Sequence, residues 1–340
     1  MNRYYLFISA VLLLAAALFA VRPALVRKEL SFFAMDTYIS LTAYGPNAED
    51  ALSAARDSML SAERRLSVTV PGSEIYEINH RREDTVFLSE DTAQDPAFAL
   101  RMSHETGGTF NPAVYPLLTA YGFTTGSRQI PSEEAIRALL PRIRPQDVRL
   151  EGRRLTLRPG MALDLGGIAK GMAGETAARI LKQHGIASAV LNLGGNVQVI
   201  GTRPDGTDWR IGLQSPWAAD FIGTLSAADC AVVTSGNYQR FFTAENGVRI
   251  HHLMDPETGR PAEKGLVSVT VTGPDGGVCD ALSTALFVMG PEQAVRYWQR
   301  RKDFNMILIT AGRKVIITPP LARSFSLTEA YQHLPLEVVS

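Results

Sequence analysis

The chain has 340 residues, 46% hydrophobic and 20% charged, enough apolar material for one large domain or two intimate ones. Its 34 basic and 34 acidic residues cancel to zero net charge, with no long run of either sign. Nucleic-acid binding draws its energy from a basic stripe that displaces counterions, and none is visible, so that class is disfavoured.

Taken in chain order, the predicted elements begin with an almost wholly apolar run, residues 4–21, with Arg3 before it and Arg22, Arg27 and Lys28 after it. About 20 apolar residues span a bilayer, so 1–30 reads as a signal peptide or membrane anchor. The run continues past Ala15-Ala16-Ala17, which favours a retained anchor with residues 31–335 folded outside the cytoplasm. Alternation marks 32–44 as a strand. Leu52, Ala55, Met59, Ala62 and Leu66 then form one stripe of a helix over 49–66. Polar residues dominate 72–95, and a second helix is expected over 96–106, before Gly107-Gly108. Ser132 caps a third helix reaching Leu140, and 148–157 reads as a hairpin around Glu151-Gly152. Further strands are expected at 161–165, 187–193, 197–200, 209–213, 231–234, 266–272 and 305–310. Helices are expected at 169–184, 280–289 and 291–300. Without strict βαβ alternation the fold class is α+β. Cys230 and Cys279 form neither a metal motif nor a disulfide framework and read as small buried hydrophobes.

Three segments carry chemistry. His251-His252-Leu253-Met254-Asp255-Pro256-Glu257-Thr258-Gly259 is a shaped loop: Pro256 keeps Asp255 out of the helical region and Gly259 supplies a permissive turn position. An imidazole with an ordinary pKa of about 6.5 can take a hydroxyl proton, although a histidine bonded structurally to its loop is a serious rival. Strand alternation points the two rings in opposite directions. Asp280 and Thr284, four apart, share a helical face, as a hard cation such as Mg²⁺ requires; on spacing alone an N-cap and a core hydroxyl are commoner. Asp164-Leu165-Gly166-Gly167 joins an expected strand to a helix, where glycines admit a ligand and Lys170 can meet a phosphate. A plain turn with a solvated lysine is the alternative.

These segments resemble the ApbE family of FAD:protein FMN transferases. The likeness also covers Ala34-Met35-Asp36-Thr37, Arg65-Leu66-Ser67, Gly108-Thr109-Phe110-Asn111-Pro112, Asn192-Leu193-Gly194-Gly195-Asn196 and Thr234-Ser235-Gly236, in the family's order. It implies an ApbE-like arrangement of mixed sheets with flanking helices and a nucleotide pocket between two intimately packed halves. By that likeness His252 is the catalytic base. Met35, Thr69, Thr109, Phe110, Asn111, Asp164, Lys170 and Met254 surround FAD. Asp280 and Thr284 hold Mg²⁺, with help from Ser283 and the Gly167 carbonyl.

The implied reaction moves FMN from FAD to a threonine or serine of a partner, a respiratory or electron-transfer subunit, and releases AMP. An FAD pyrophosphatase and a non-catalytic FAD carrier are the alternatives. Implied partners are thus FAD, the acceptor protein and, through the N-terminal segment, the periplasmic face of the inner membrane. The chain departs from the family at Asn111, usually Asp, at Asp36 and Tyr115, usually Gly, and at Thr69, commonly Tyr or Asn. Losing the charge at Asn111 is expected to weaken FAD, so Asn111→Asp should tighten it.

Overall fold

A computed structural model describes residues 26–245 and 247–339. The apolar run 4–21 of the expected 1–30 anchor lies outside them, whereas Arg27 to Leu30 already belong to a strand, and among the described residues no helix is long and apolar enough to cross a membrane. Nine strands form the main sheet: Arg27–Ala34, Thr37–Tyr44, Ser188–Leu193, Asn196–Ile200, Ala231–Gly236, Leu266–Gly273, Asn305–Thr310, Val315–Ile317 and Leu336–Val338. Their order across the sheet is their order along the chain. Neighbours are antiparallel except the last pair, which is parallel.

Both faces are covered along the middle of this sheet, so its central strands read as nearly unbroken apolar runs, while the first hairpin is covered on one face only. On one face Ile39, Leu41, Leu191 and Leu193 meet the helices Ala48–Leu66 and Gly166–Gln183. Val269, Val271, Met306 and Leu308 meet the helix Gly276–Met289 on that face. On the other face Val197, Val199, Ile307 and Ile309 pack against a three-stranded sheet of Trp209–Gln214, Phe221–Ala227 and Phe325–Leu327. Each such side chain, taken wholly from water, contributes about 1.5–3 kcal/mol. A smaller cluster under Tyr115–Ala120 and Glu133–Leu139 gathers Leu117, Tyr121, Phe123 and Ile136 with Met254. The fold is α+β, as expected from the mixed order of elements.

Several local expectations change. The strand expected over 32–44 is a hairpin, because Met35 (φ 51°) and Asp36 (φ 56°) both turn left-handed, as a two-residue type I′ turn requires. The helix expected at Pro96 spans Glu90–Glu105; the Ser89 side chain caps it by accepting from the Thr92 N–H, and Pro96 lies inside. Residues 161–165 are not a strand. Their polar backbone is satisfied by Asn79, whose amide donates to the Leu163 carbonyl at 2.7 Å and accepts from its N–H at 2.8 Å. The helices starting at Gly166 and Gly276 take their glycines into the first turn. The sheet runs from Arg27 to Val338, slightly beyond the expected 31–335. The strands Phe221–Ala227 and Phe325–Leu327 were not expected.

Candidate active site

A cleft of about 720 Å³ opens where the Met35-Asp36 turn, the starts of two helices and the histidine loop converge. Of the thirteen residues expected to act, eleven line it: Met35, Thr69, Thr109, Asn111, Asp164, Gly167, Lys170, His252, Met254, Asp280 and Thr284. Phe110 and Ser283 stand behind the wall.

Asp280 comes from the helix Gly276–Met289. Its cap is Asp275, whose carboxylate accepts from the Val278 N–H at 2.9 Å, so Asp280 sits in the second turn and is no N-cap. It is 5% exposed, and one oxygen accepts from the Gly171 N–H at 2.8 Å. In a regular helix that N–H would face the Gly167 carbonyl, the oxygen expected at the metal. Two glycines permit the approach: a Cβ on Gly171 would stand 2.2 Å from the Gly276 carbonyl oxygen and 2.7 Å from the Asp280 Cβ. Burial pushes the Asp280 carboxyl up, opposed by the Lys170 charge. Thr284, one turn on, is partly open to the cleft, and a Cβ on Gly167 would lie 3.6 Å from its hydroxyl.

Ser283 is wholly buried. It donates to the Asp280 carbonyl at 2.8 Å and shares a 2.7 Å bond with Ser235, so it supports the site from behind rather than facing it. Phe110 is buried too; its ring would sit 2.9 Å from a Cβ at Gly167, which makes it a floor for the glycine turn.

Among the described residues no three His, Cys, Asp or Glu side chains converge as a metal cage. Mg²⁺ does not need one, since it is held by one or two carboxylates with substrate phosphates and water. Asp280, Thr284 and the Gly167 backbone fit that donor set. Asn196 adds to it: 1% exposed, it lies against Asp280, whose charged form its amide favours, and its side-chain oxygen has no partner. Such orphans are uncommon in native interiors and mark a place where something is to be bound.

Across the cleft, His252 places Nδ1 3.1 Å from the Arg240 carbonyl oxygen. The carbonyl can only accept, so Nδ1 carries the hydrogen and Nε2 is left as the accepting nitrogen. Burial first, then the Arg240 guanidinium, pushes His252 down to about 3, so the ring is neutral at working pH. His251 faces the other way: it is buried edge-on against Phe287, with Nδ1 unpartnered, and burial holds it at about 4. The loop beyond is held by Asp255, which accepts from the Glu257 N–H at 2.9 Å and pairs with Lys264. Asp164 accepts from the Gly166 N–H at 2.7 Å, and burial raises its carboxyl.

Arg240 was not foreseen. It lines the cleft and donates to the Phe123 carbonyl at 2.8 Å, so with Lys170 it gives the cleft two cations suited to a pyrophosphate. No local motif announces it. Asn111 corrects an expectation: its amide donates to the Ile143 carbonyl at 2.8 Å and its oxygen accepts from the Ala113 N–H at 2.8 Å. Each group thus has a backbone partner that fixes the side chain at the cleft wall.

Residues 35–308 match the model of the ApbE family. The FAD:protein FMN transferase of Klebsiella pneumoniae (strain 342) is 35% identical over 277 residues, covering 79% of this chain and 85% of that protein. The namesake in Escherichia coli (strain K12) is 32% identical over 253 residues, 71% of this chain and 72% of its own. The crystal structure of the ApbE protein of Thermotoga maritima superposes with a TM-score of 0.80 at 31% identity, covering 85% of this chain and 96% of the other.

Proposed function

The chain belongs to the ApbE family, and on that premise we propose that it is an FAD:protein FMN transferase that moves FMN onto a threonine or serine hydroxyl of an acceptor protein. The observation that carries the reading is one cleft in which a neutral histidine faces a buried carboxylate and two cations. In the reaction the acceptor oxygen bonds to the FMN phosphorus as the phosphorus–oxygen bond to AMP breaks. His252 Nε2 takes the hydroxyl proton, and the charge on the leaving phosphate is met by Lys170 and Arg240. Burial and the Arg240 charge make His252 a weak base, and a pyrophosphate, being anionic, would raise its proton affinity toward the useful range when bound.

Asp280 and Thr284, with the Gly167 carbonyl beside them, are the proposed holders of Mg²⁺, which would neutralise pyrophosphate charge when bound. Asp164, Thr69, Thr109 and the two methionines Met35 and Met254 supply the walls for the rest of FAD. The apolar run 4–21 supports a membrane anchor with this domain on the periplasmic side, next to respiratory or electron-transfer acceptors. An export-dependent reporter fused after residue 340 should be active; activity of a cytoplasmic reporter instead would remove the topology.

Incubation of the protein with FAD and Mg²⁺ tests the chemistry. AMP released only when acceptor is present means transfer. AMP without acceptor means hydrolysis, and no AMP means a carrier; either result would overturn the proposal.

A further inference from the structure

The strand Arg27–Ala34 closes one end of the main sheet and, among the described residues, is paired on one side only. It leads directly into the cleft: Ala34 pairs with Thr37, and Met35, Asp36 and Thr37 are lining residues. In a two-residue hairpin the pair flanking the turn is hydrogen-bonded, and bonded and unbonded pairs alternate from there. At the far end the Val26 carbonyl accepts from the Gly45 N–H at 3.1 Å, which keeps the same parity. Ala34, Phe32, Leu30 and Lys28 therefore spend their backbone groups on the second strand. Phe33, Ser31, Glu29 and Arg27 turn theirs outward.

The side chains of those outward residues are exposed as well. Phe33 is 70% exposed and Tyr38, directly opposite it, 65%. On the other face Leu30 and Phe32 pack on the helix side of the sheet, so the exposed pair is not a general failure to bury the hairpin. Toward the far end, Arg27 with Glu29 and Lys28 with Glu49 place charge along the edge. Charged edges discourage pairing between copies, and here the uncharged stretch of edge is the part next to the cleft.

We propose that this edge docks an extended segment of the acceptor protein as an added strand, with the hydroxyl-bearing residue carried past the Met35-Asp36 turn into the cleft. The inference rests on the transferase reading, since only a protein substrate needs such a surface. A folded acceptor cannot enter 720 Å³, so it must present one residue from outside while neighbouring residues are held at the rim. Outward N–H and C=O groups hold any extended main chain, and the Phe33–Tyr38 pair adds apolar contact on one face.

The test uses FAD and, as acceptor, a protein that the Klebsiella pneumoniae transferase flavinylates. Ser31→Pro removes one outward N–H and no inward ladder bond, a position where an edge strand tolerates proline. The second variant, Phe33→Ser with Tyr38→Ser, removes the aromatic pair. Both should keep wild-type FAD affinity and kcat while KM for the acceptor rises roughly tenfold or more. Unchanged KM in whichever variant retains the wild-type melting temperature overturns the docking alone. Unchanged KM with lost binding to anionic vesicles would assign the pair to a membrane surface and equally overturn it. A wild-type protein that binds FAD but labels no acceptor brings down the transferase reading first, and this proposal with it.

Discussion

Replacing Asn111 by aspartate should weaken the protein at neutral pH, the reverse of what its place in the motif suggests. The residue is 8% exposed and both side-chain polar groups are committed, one to the Ala113 N–H and one to the Ile143 carbonyl. An aspartate still accepts from Ala113. Its other oxygen would face the Ile143 oxygen at the 2.8 Å where a donor now stands. Losing this donor leaves a buried carbonyl unsatisfied, which costs roughly 1–3 kcal/mol. Protonation restores a donor, which raises the carboxyl in the folded state above its unfolded value. Such a group's penalty is absent at low pH and grows as pH rises from about 4. Chemical unfolding of wild type and Asn111→Asp at pH 7 and pH 4.5 gives the difference directly. Equal stability at pH 7, or a deficit that does not shrink on acidification, would refute the hydrogen-bond argument.

His252→Ala should leave FAD affinity near normal and slow FMN transfer by roughly 10²–10⁴-fold, while His251→Leu does far less; mass spectrometry of a labelled acceptor decides, and a wild-type rate in His252→Ala moves the base elsewhere. Asp280→Asn retains an oxygen for the Gly171 N–H but should lower Mg²⁺ affinity roughly tenfold or more by calorimetry; unchanged affinity would dismiss the site. His251, held at about 4, is protonated more readily in the unfolded chain, so stability is lost as pH falls from about 6.5 toward 4. His251→Leu should flatten that decline by up to roughly 3 kcal/mol, at the expense of a bond to the Ala262 backbone; an unaltered pH profile would show the proton is taken up elsewhere. Asp36→Gly should raise stability by about 0.5–1 kcal/mol by relieving a left-handed position, and a lower melting temperature would mean the carboxylate makes a contact worth more.

Much of the molecule is written locally. Leu52, Ala55, Met59, Ala62 and Leu66 were enough to place the helix Ala48–Leu66, and all five are buried. Asp164, Lys170, His252, Asp280 and Thr284 were recognisable through the likeness to the ApbE family, since spacing alone favoured an N-cap, a core hydroxyl and a plain turn. What escaped depends on contacts far along the chain. Pro96 reads as a helix start, but packing of Thr92, Asp95 and Ala99 extends the helix ahead of it, with Asp95 paired to Arg65. Residues 161–165 look like a strand, yet their ladder partner is the side chain of Asn79, 84 positions away. The Met35-Asp36 turn lacks the usual Asn-Gly signal. Arg240 sits in no motif, and the role of Asn111 is fixed by Ile143, which nothing nearby foretells.

The glycine contact between the helices Gly166–Gln183 and Gly276–Met289 bears on how this protein can be engineered. Exchanging a helical glycine for alanine is a routine route to thermostability, worth about 0.4–1 kcal/mol where the backbone allows it. At Gly171 the added methyl would meet both the Gly276 oxygen and the Asp280 side chain, driving the carboxylate off the amide that holds it. A stability screen would therefore encounter its most attractive helical positions where tolerance is least. The tightness of one interhelical seam makes those glycines as much a part of the chemistry as the carboxylate they admit.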